Sequence, residues 1–189
     1  MKRIIYKWLF HKILGWRING SFDPDVMKSV LMVLPHTSWH DFYIGLLTRG
    51  IVGLEMHYVA KKELFRFPFG AYFRYMGGSP LDRSGGRSKV DAIVSLFKSR
   101  STFRMAIAPE GTRKKVSELK SGFYYIAYCA HVPIIPVAFD YGTRTVRIGD
   151  AFEPTGNYES DVKVLLRHFV NVTGKNPKLG FDALAYLNR

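Results

Sequence analysis

Val30-Leu-Met-Val-Leu-Pro-His-Thr-Ser-Trp-His-Asp-Phe42 joins a short apolar, β-branched-rich run to a helical pattern. The apolar part predicts a buried strand that Pro35 ends. Ser38 is well placed to be the N-cap of the following helix. We therefore expect His36 on the loop between strand and helix, with Asp41 in the first helical turn.

A histidine and a carboxylate in this arrangement can form a dyad that acts as a general base on a hydroxyl, because the carboxylate holds the ring tautomer. A structural alternative is that Asp41 completes a capping interaction with Ser38, and that His36 is an ordinary loop residue. A metal site at His36, His40 and Asp41 is disfavoured, because Thr37 stands where a His-Glu-x-x-His protease has its glutamate. These residues leave catalysis and capping open, and we expect no metal.

Composition and charge limit the class of protein. The chain has 189 residues, of which 47% are hydrophobic, so we expect one domain with a sizeable core. A net charge of +13 points to an anionic partner such as phospholipid headgroups, nucleic acid or an acidic substrate carrier. Because the cations are spread along the chain and no nucleic-acid motif occurs, we expect no nucleic-acid partner.

The cysteine content and the absence of targeting signals indicate the compartment. Cys129 is the only cysteine, so no intrachain disulfide can form and a reducing compartment fits. Its apolar neighbours predict a packed core thiol. No stretch is long and apolar enough to span a bilayer, and Lys7, His11 and Lys12 interrupt the only signal-like run. We expect an uncleaved, cytoplasmic protein.

Residues 1–17 predict a basic amphipathic helix. Its apolar positions recur at close to 3.6 residues, and its five cations are accompanied by no acid. Tryptophan and lysine beside an apolar stripe are typical of helices that lie in a membrane interface. We therefore predict a peripheral association with the inner face of the cell membrane. The alternative is a terminal helix packed on the domain, with a solvated basic face.

The rest of the chain alternates between strand and helix patterns, which predicts an α/β fold. The two prolines of the run at 132–139 suggest an edge strand or a bulge, and residues 145–149 predict its hairpin partner. Further strands are expected at 57–60 and 103–108. Helices are expected at 39–49, from 69 onward, and at 89–98, 120–131 and 159–172.

Polar loops follow several of these strands. Glu110 and Arg113 come directly after the run at 103–108, as His36 comes after its own strand. Arg83 lies among glycines and serines, where a guanidinium could approach a phosphate. Because ligands of open α/β sheets bind outside the carboxyl ends of the strands, we expect these loops to share one site. Considered alone, Glu110 could instead have a structural role as the ion-pair partner of Arg113.

Four blocks in order give the chain a family resemblance. It resembles the glycerolipid acyltransferases of the PlsC type, whose His-x-x-x-x-Asp block matches His36 to Asp41. The second block resembles Gly78-Ser-Pro-Leu-Asp-Arg83, and the third, Pro-Glu-Gly-Thr-Arg, is intact at 109–113. The fourth is similar to Val132-Pro-Ile-Ile-Pro136. Order and spacing agree over residues 30–140, which would form the motif-bearing core of a single domain at 1–189.

The resemblance implies a mixed, mostly parallel sheet flanked by helices. It also implies acyl transfer from acyl-CoA or acyl carrier protein, used as a co-substrate without any cofactor, to a hydroxyl of a glycerolipid such as 1-acylglycerol-3-phosphate. His36 would deprotonate the hydroxyl and Asp41 would orient His36. The substrate-binding residues would be Arg83 and Arg113 on the acceptor phosphate, with Glu110, Gly111 and Thr112. No Gly-x-Ser-x-Gly elbow is present, so an acyl-enzyme is not expected.

Overall fold

The structure is a computed structural model that describes residues 2–61, 65–66, 68, 70–75, 77–81 and 89–189. Within these ranges the strands are β1 Arg17–Asn19, β2 Lys28–Leu34, β3 His57–Lys61, β4 Gly78–Leu81, β5 Phe103–Ile107, β6 Ile134–Asp140 and β7 Thr145–Ile148. The α-helices are α1 Lys2–Trp8, α2 His40–Val52, α3 Gly70–Tyr75, α4 Lys89–Ser99, α5 Gly122–Ala130, α6 Tyr158–Leu166 and α7 Ala183–Leu187. A π-helical segment, Leu9–Ile13, continues α1, and short 3-10 turns lie at Arg167–Phe169 and Pro177–Leu179.

The strands form one seven-stranded sheet in the order β1-β7-β6-β2-β5-β3-β4. All neighbouring strands are parallel except β6 and β7, which form the predicted antiparallel hairpin. The expected α/β class with a mixed, mostly parallel sheet is therefore confirmed. Strands β6, β2 and β5 lie side by side in the middle, so the loops that leave β2 and β5 meet at one edge.

The central strands are buried on both faces, as parallel strands covered by helices should be. In β2, Val30, Met32 and Leu34 enter one hydrophobic cluster with residues of α4, α5 and α6. The intervening Leu31 belongs to a second cluster on the opposite face, which α2 and the N-terminal segment complete. An alternating strand thus separates two cores.

The N-terminal helix is shorter than the predicted 1–17. Helical structure covers residues 2–13, and Gly15 then adopts a positive φ of 67° that turns the chain. Trp16 is buried against Phe10 and Tyr141, and Arg17 begins β1. The burial of the indole and the pairing of β1 with β7 outweigh the helical periodicity that had included both residues.

Two further expectations need correction. Strand β6 is an interior strand, so the edge interpretation of its prolines is wrong. The pairing of β6 with β7 and the residues after it does contain one extra residue, but that residue lies in the facing segment at 148–152 and not in β6. The antiparallel pairing of β6 shifts by one residue between the Ile134–Phe152 bridge and the Val137–Ile148 pair, and the Pro136 carbonyl accepts the Gly149 N–H there. Cys129 is exposed rather than packed in the core, because the buried positions of α5 are 123, 124, 126 and 127.

The helix predicted at 159–172 is present, but its ends differ from the prediction. It runs over Tyr158–Leu166 and continues as a 3-10 turn to Phe169, with Asn157 accepting the Ser160 N–H as N-cap. The apolar residues Val162, Leu165, Leu166 and Phe169 are all buried. None of the described helices combines the length and hydropathy needed to cross a bilayer.

Candidate active site

The candidate site lies where the three central strands end. His36 follows β2, Glu110 follows β5, and Tyr141 follows β6. Since β2 lies between β5 and β6 in the sheet, the two flanking loops both approach the histidine loop. The structure thus brings His36, Asp41 and Glu110 together, as the polar ends of the strands predict.

His36 and Asp41 are adjacent. The Nδ1 atom of His36 lies 3.2 Å from Oδ2 of Asp41, within ion-pair distance. The His36 side chain keeps 25% of its surface exposed, whereas the Asp41 side chain keeps 1%. With Nδ1 turned to the carboxylate, Nε2 is the ring nitrogen that points away from Asp41.

Asp41 is also the hydrogen-bond acceptor that organises its loop. Its Oδ2 accepts the backbone N–H groups of Thr37 and Ser38, each at 2.9 Å, and its Oδ1 accepts the Tyr141 hydroxyl at 2.8 Å. Catalysis and capping were open alternatives in the sequence. The bond from the Ser38 N–H to Asp41 shows the expected capping contact, and the same carboxylate also lies beside the His36 ring. The predicted N-cap at Ser38 is displaced by one position, because the helix begins at His40.

Glu110 is almost fully buried and contacts the backbone of the histidine. Its Oε2 accepts the His36 N–H at 2.6 Å, and its Oε1 is buried as well. Burial raises the pKa of Glu110 to about 7, and the His36 N–H offsets part of that increase. Among the described residues Glu110 forms no ion pair with Arg113, so the alternative of an ion pair between these two residues is wrong.

In the loop that follows Glu110, the Lys120 side chain packs closely against Gly111. Gly111 has a φ of 63°, and a Cβ at this position would lie 2.7 Å from the Lys120 Nζ. The Lys120 backbone N–H bonds the Pro109 carbonyl at 2.9 Å, which holds the two sides of the loop together. Thr112 is half-buried, and Arg113 is exposed. Arg83, which the sequence assigns to the same site, lies outside the described residues.

A cavity of about 490 Å³ opens beside His36, Asp41 and Arg113. It follows α2 from Asp41 to Arg49, which is eight residues or roughly 12 Å of helix. Most of its lining is apolar or aromatic and comes from β2, β5, β6 and α2: Leu31, Val33, Ala106, Ile107, Val137, Phe139, Phe42, Gly45 and Leu46. Its size and lining are those of a pocket for an apolar ligand.

Two residues of the site were missed in the sequence. Tyr141 bonds Asp41, and Asn176 bonds the Thr37 carbonyl through Nδ2 at 2.9 Å and the Thr37 Oγ1 through its N–H at 3.2 Å. Tyr141 follows an apolar strand directly, so the rule that identified His36 and Glu110 also applies to it. Nothing in the sequence marks Asn176, since its contact spans 139 residues.

The side chains of the described residues around the histidine loop do not form a group of metal ligands. His40 is exposed and its Nδ1 lies 2.9 Å from the Ser38 Oγ. Across the described ranges, no three His, Cys, Asp or Glu side chains are grouped as metal ligands would be.

Comparisons with known proteins agree with this geometry. A family model described as Acyltransferase matches residues 22–140. The 1-acyl-sn-glycerol-3-phosphate acyltransferase of Bacillus subtilis is 33% identical over 128 residues, covering 66% of this chain and 62% of the relative. The human 1-acyl-sn-glycerol-3-phosphate acyltransferase beta is 33% identical over 129 residues, covering 57% and 46%. The chain therefore spans about half to three-fifths of the length of these curated relatives.

A solved structure shares the fold. The 1-acyl-sn-glycerophosphate acyltransferase PlsC from Thermotoga maritima matches with a TM-score of 0.57 and 22% identity, over 87% of this chain and 73% of that one. The family match extends over more than half of the chain and includes both members of the dyad and the Pro109–Arg113 block. The predicted resemblance is confirmed, and the chain belongs to the acyltransferase family of the PlsC type.

Proposed function

We propose that this protein is an O-acyltransferase that moves a fatty acyl chain from a thioester to a hydroxyl of a glycerolipid acceptor, 1-acylglycerol-3-phosphate. The observation that carries the proposal is a His36–Asp41 pair, 3.2 Å apart, at the entrance of an apolar cavity. Two curated relatives, each 33% identical to this chain over the matched residues, bear the name of this activity.

The reaction needs one proton acceptor and no covalent enzyme intermediate. Nε2 of His36 takes the proton of the acceptor hydroxyl as its oxygen attacks the thioester carbonyl. The resulting tetrahedral species collapses, the carbon–sulfur bond breaks, and the proton returns from His36 to the leaving thiolate. Asp41 stabilises the transient imidazolium through Nδ1, as the carboxylate of a catalytic triad does.

The cavity supplies a place for the fatty chain. Its apolar lining begins at the dyad, so a chain bound there would present its thioester carbon to the reacting hydroxyl. The polar end of the acceptor would remain at the loop of Gly111, Thr112 and Arg113, where the guanidinium can bind its phosphate. Family resemblance adds Arg83 to this phosphate site. Acyl-CoA and acyl carrier protein both fit as donors.

Residues 2–13 are proposed to contact the membrane surface. Ile4, Ile5, Trp8 and Ile13 each expose more than half of their surface, while Phe10 is fully buried in the domain. An exposed apolar group among lysines is typical of a helix in a lipid interface. The helix thus has one face for the protein and another for lipid.

The Trp8→Ala variant is expected to bind vesicles about tenfold more weakly, because Trp8 would be buried in the interface. Co-sedimentation with vesicles of phosphatidylglycerol and phosphatidylcholine measures the change. Tyr128→Ala is the matched control, since Tyr128 is an aromatic residue on α5, across the sheet, with 43% exposure. Equal binding by both variants would contradict the membrane role of this helix.

The activity is tested by thiol release from palmitoyl-CoA, or from palmitoyl-acyl carrier protein, with lysophosphatidic acid in vesicles. We expect thiol release that requires the acceptor, together with phosphatidic acid as the product in mass spectrometry. Release that is independent of the acceptor would identify a thioesterase. No release with either donor and several lysolipids would overturn the proposed function.

A further inference from the structure

We propose that Tyr141 is a positioning residue of the dyad: its hydroxyl fixes the carboxylate of Asp41, which in turn orients His36. The effect of this role on catalysis rests on the proposed function. The geometry itself is independent of any substrate. Tyr141 lies just beyond the residues matched by the family model, which end at 140.

The first step concerns what the carboxylate of Asp41 needs. Asp41 is 2% exposed, so each of its oxygens requires a donor from the protein. Oδ2 has two backbone donors besides the nearby His36 ring. For Oδ1, the Tyr141 hydroxyl at 2.8 Å is the donor that the described residues provide. Removing that hydroxyl leaves one oxygen of a buried carboxylate unsatisfied.

The second step concerns the rigidity of Tyr141. Its backbone N–H bonds the Thr173 carbonyl at 2.8 Å. Its ring packs edge-on against Trp16, with centroids 4.8 Å apart, and the Lys175 Nζ lies 5.8 Å from its centroid. Two separate segments of the chain, at Trp16 and at Thr173 to Lys175, therefore hold Tyr141, so its hydroxyl is fixed before any substrate binds.

The third step separates positioning from binding. Tyr141 is absent from the lining of the cavity, although His36 and Asp41 both belong to it. Burial, followed by the bond to Asp41, raises the pKa of Tyr141 well above its usual range, so the phenol stays a neutral donor. Tyr141 can therefore influence the reaction only through its hydrogen bond to Asp41.

The test is Tyr141→Phe, which removes the hydroxyl and keeps the ring contacts with Trp16 and Lys175. We expect kcat for acyl transfer to fall about tenfold with KM unchanged, as a partial loss of the general-base effect. Tyr125→Phe on α5 is the matched control, because Tyr125 is exposed and distant from the dyad. The thermal unfolding temperature of each variant, compared with that of the wild type, shows whether a lower kcat is caused by partial unfolding.

A second readout does not depend on activity. The ¹⁵N shifts of the His36 ring report its tautomer, and we expect mainly Nδ1–H in the wild type and a mixture of both tautomers in Tyr141→Phe. An unchanged tautomer in a folded Tyr141→Phe variant overturns the positioning role, as does a rise in KM with kcat intact. If the wild type transfers no acyl group, the proposed function fails, and this spectrum still decides the role of Tyr141.

Discussion

The His36→Ala variant is expected to lose activity by a factor of about 10²–10⁴, because it removes the general base of the proposed mechanism. The loss should appear in kcat, measured by thiol release at saturating palmitoyl-CoA and lysophosphatidic acid. The fold should survive, since the ring is partly exposed and Asp41 keeps its bonds to Thr37, Ser38 and Tyr141.

His40→Ala is the matched control for this variant. It removes the same side chain from an exposed position four residues along the same segment, outside the cavity. We expect its kcat to stay within about twofold of the wild type, as for surface substitutions away from a site. Wild-type activity in a folded His36→Ala protein would contradict the general-base mechanism.

The Glu110→Gln variant is expected to become more stable relative to the wild type as the pH rises. Burial raises the pKa of Glu110 from 4.5 to about 7, so the folded state binds its proton more tightly than the unfolded chain does. Stability from this group is therefore fully present below pH 4.5 and is lost as the pH rises through about 7. Between about pH 5 and pH 8 the loss amounts to about 2 kcal/mol.

Glutamine is neutral at every pH and can still accept the His36 N–H. The free energy of unfolding, from urea titrations at about pH 5 and about pH 8, should therefore rise in the variant relative to the wild type by about 2 kcal/mol between the two. Glu118→Gln is the matched control, because Glu118 is exposed, and it should follow the wild-type pH dependence. A constant difference between Glu110→Gln and wild type would contradict a raised pKa.

Local patterns predicted most of the fold and part of the site. The apolar runs ended by Pro35 and Pro109 identified β2 and β5, because a buried parallel strand is apolar throughout. The same patterns placed His36 and Glu110 at one edge of the sheet. The contact of Glu110 with the His36 backbone could not be predicted, since it depends on how two loops 74 residues apart meet.

The remaining differences arise where tertiary contacts override local preference. Trp16 continues the helical periodicity of the N-terminus, yet its burial against Phe10 and Tyr141 places it outside the helix. Pro136 suggested a sheet edge, but it lies in an interior strand, where it pairs with Met32 of β2. Asn176 joins the site from a segment with no strand or helix pattern, through bonds to Thr37.

The attachment of the N-terminal helix at both ends affects how the protein can sit on a surface. The Arg3 side chain bonds the Ile51 carbonyl on α2 at 2.7 Å, and the buried Trp16 leads directly into β1 at the sheet edge. These contacts hold the helix against the domain at both of its ends. If the helix lies flat on a bilayer, the domain is held in one orientation relative to the membrane. The fold then determines the distance between the cavity entrance and the membrane surface.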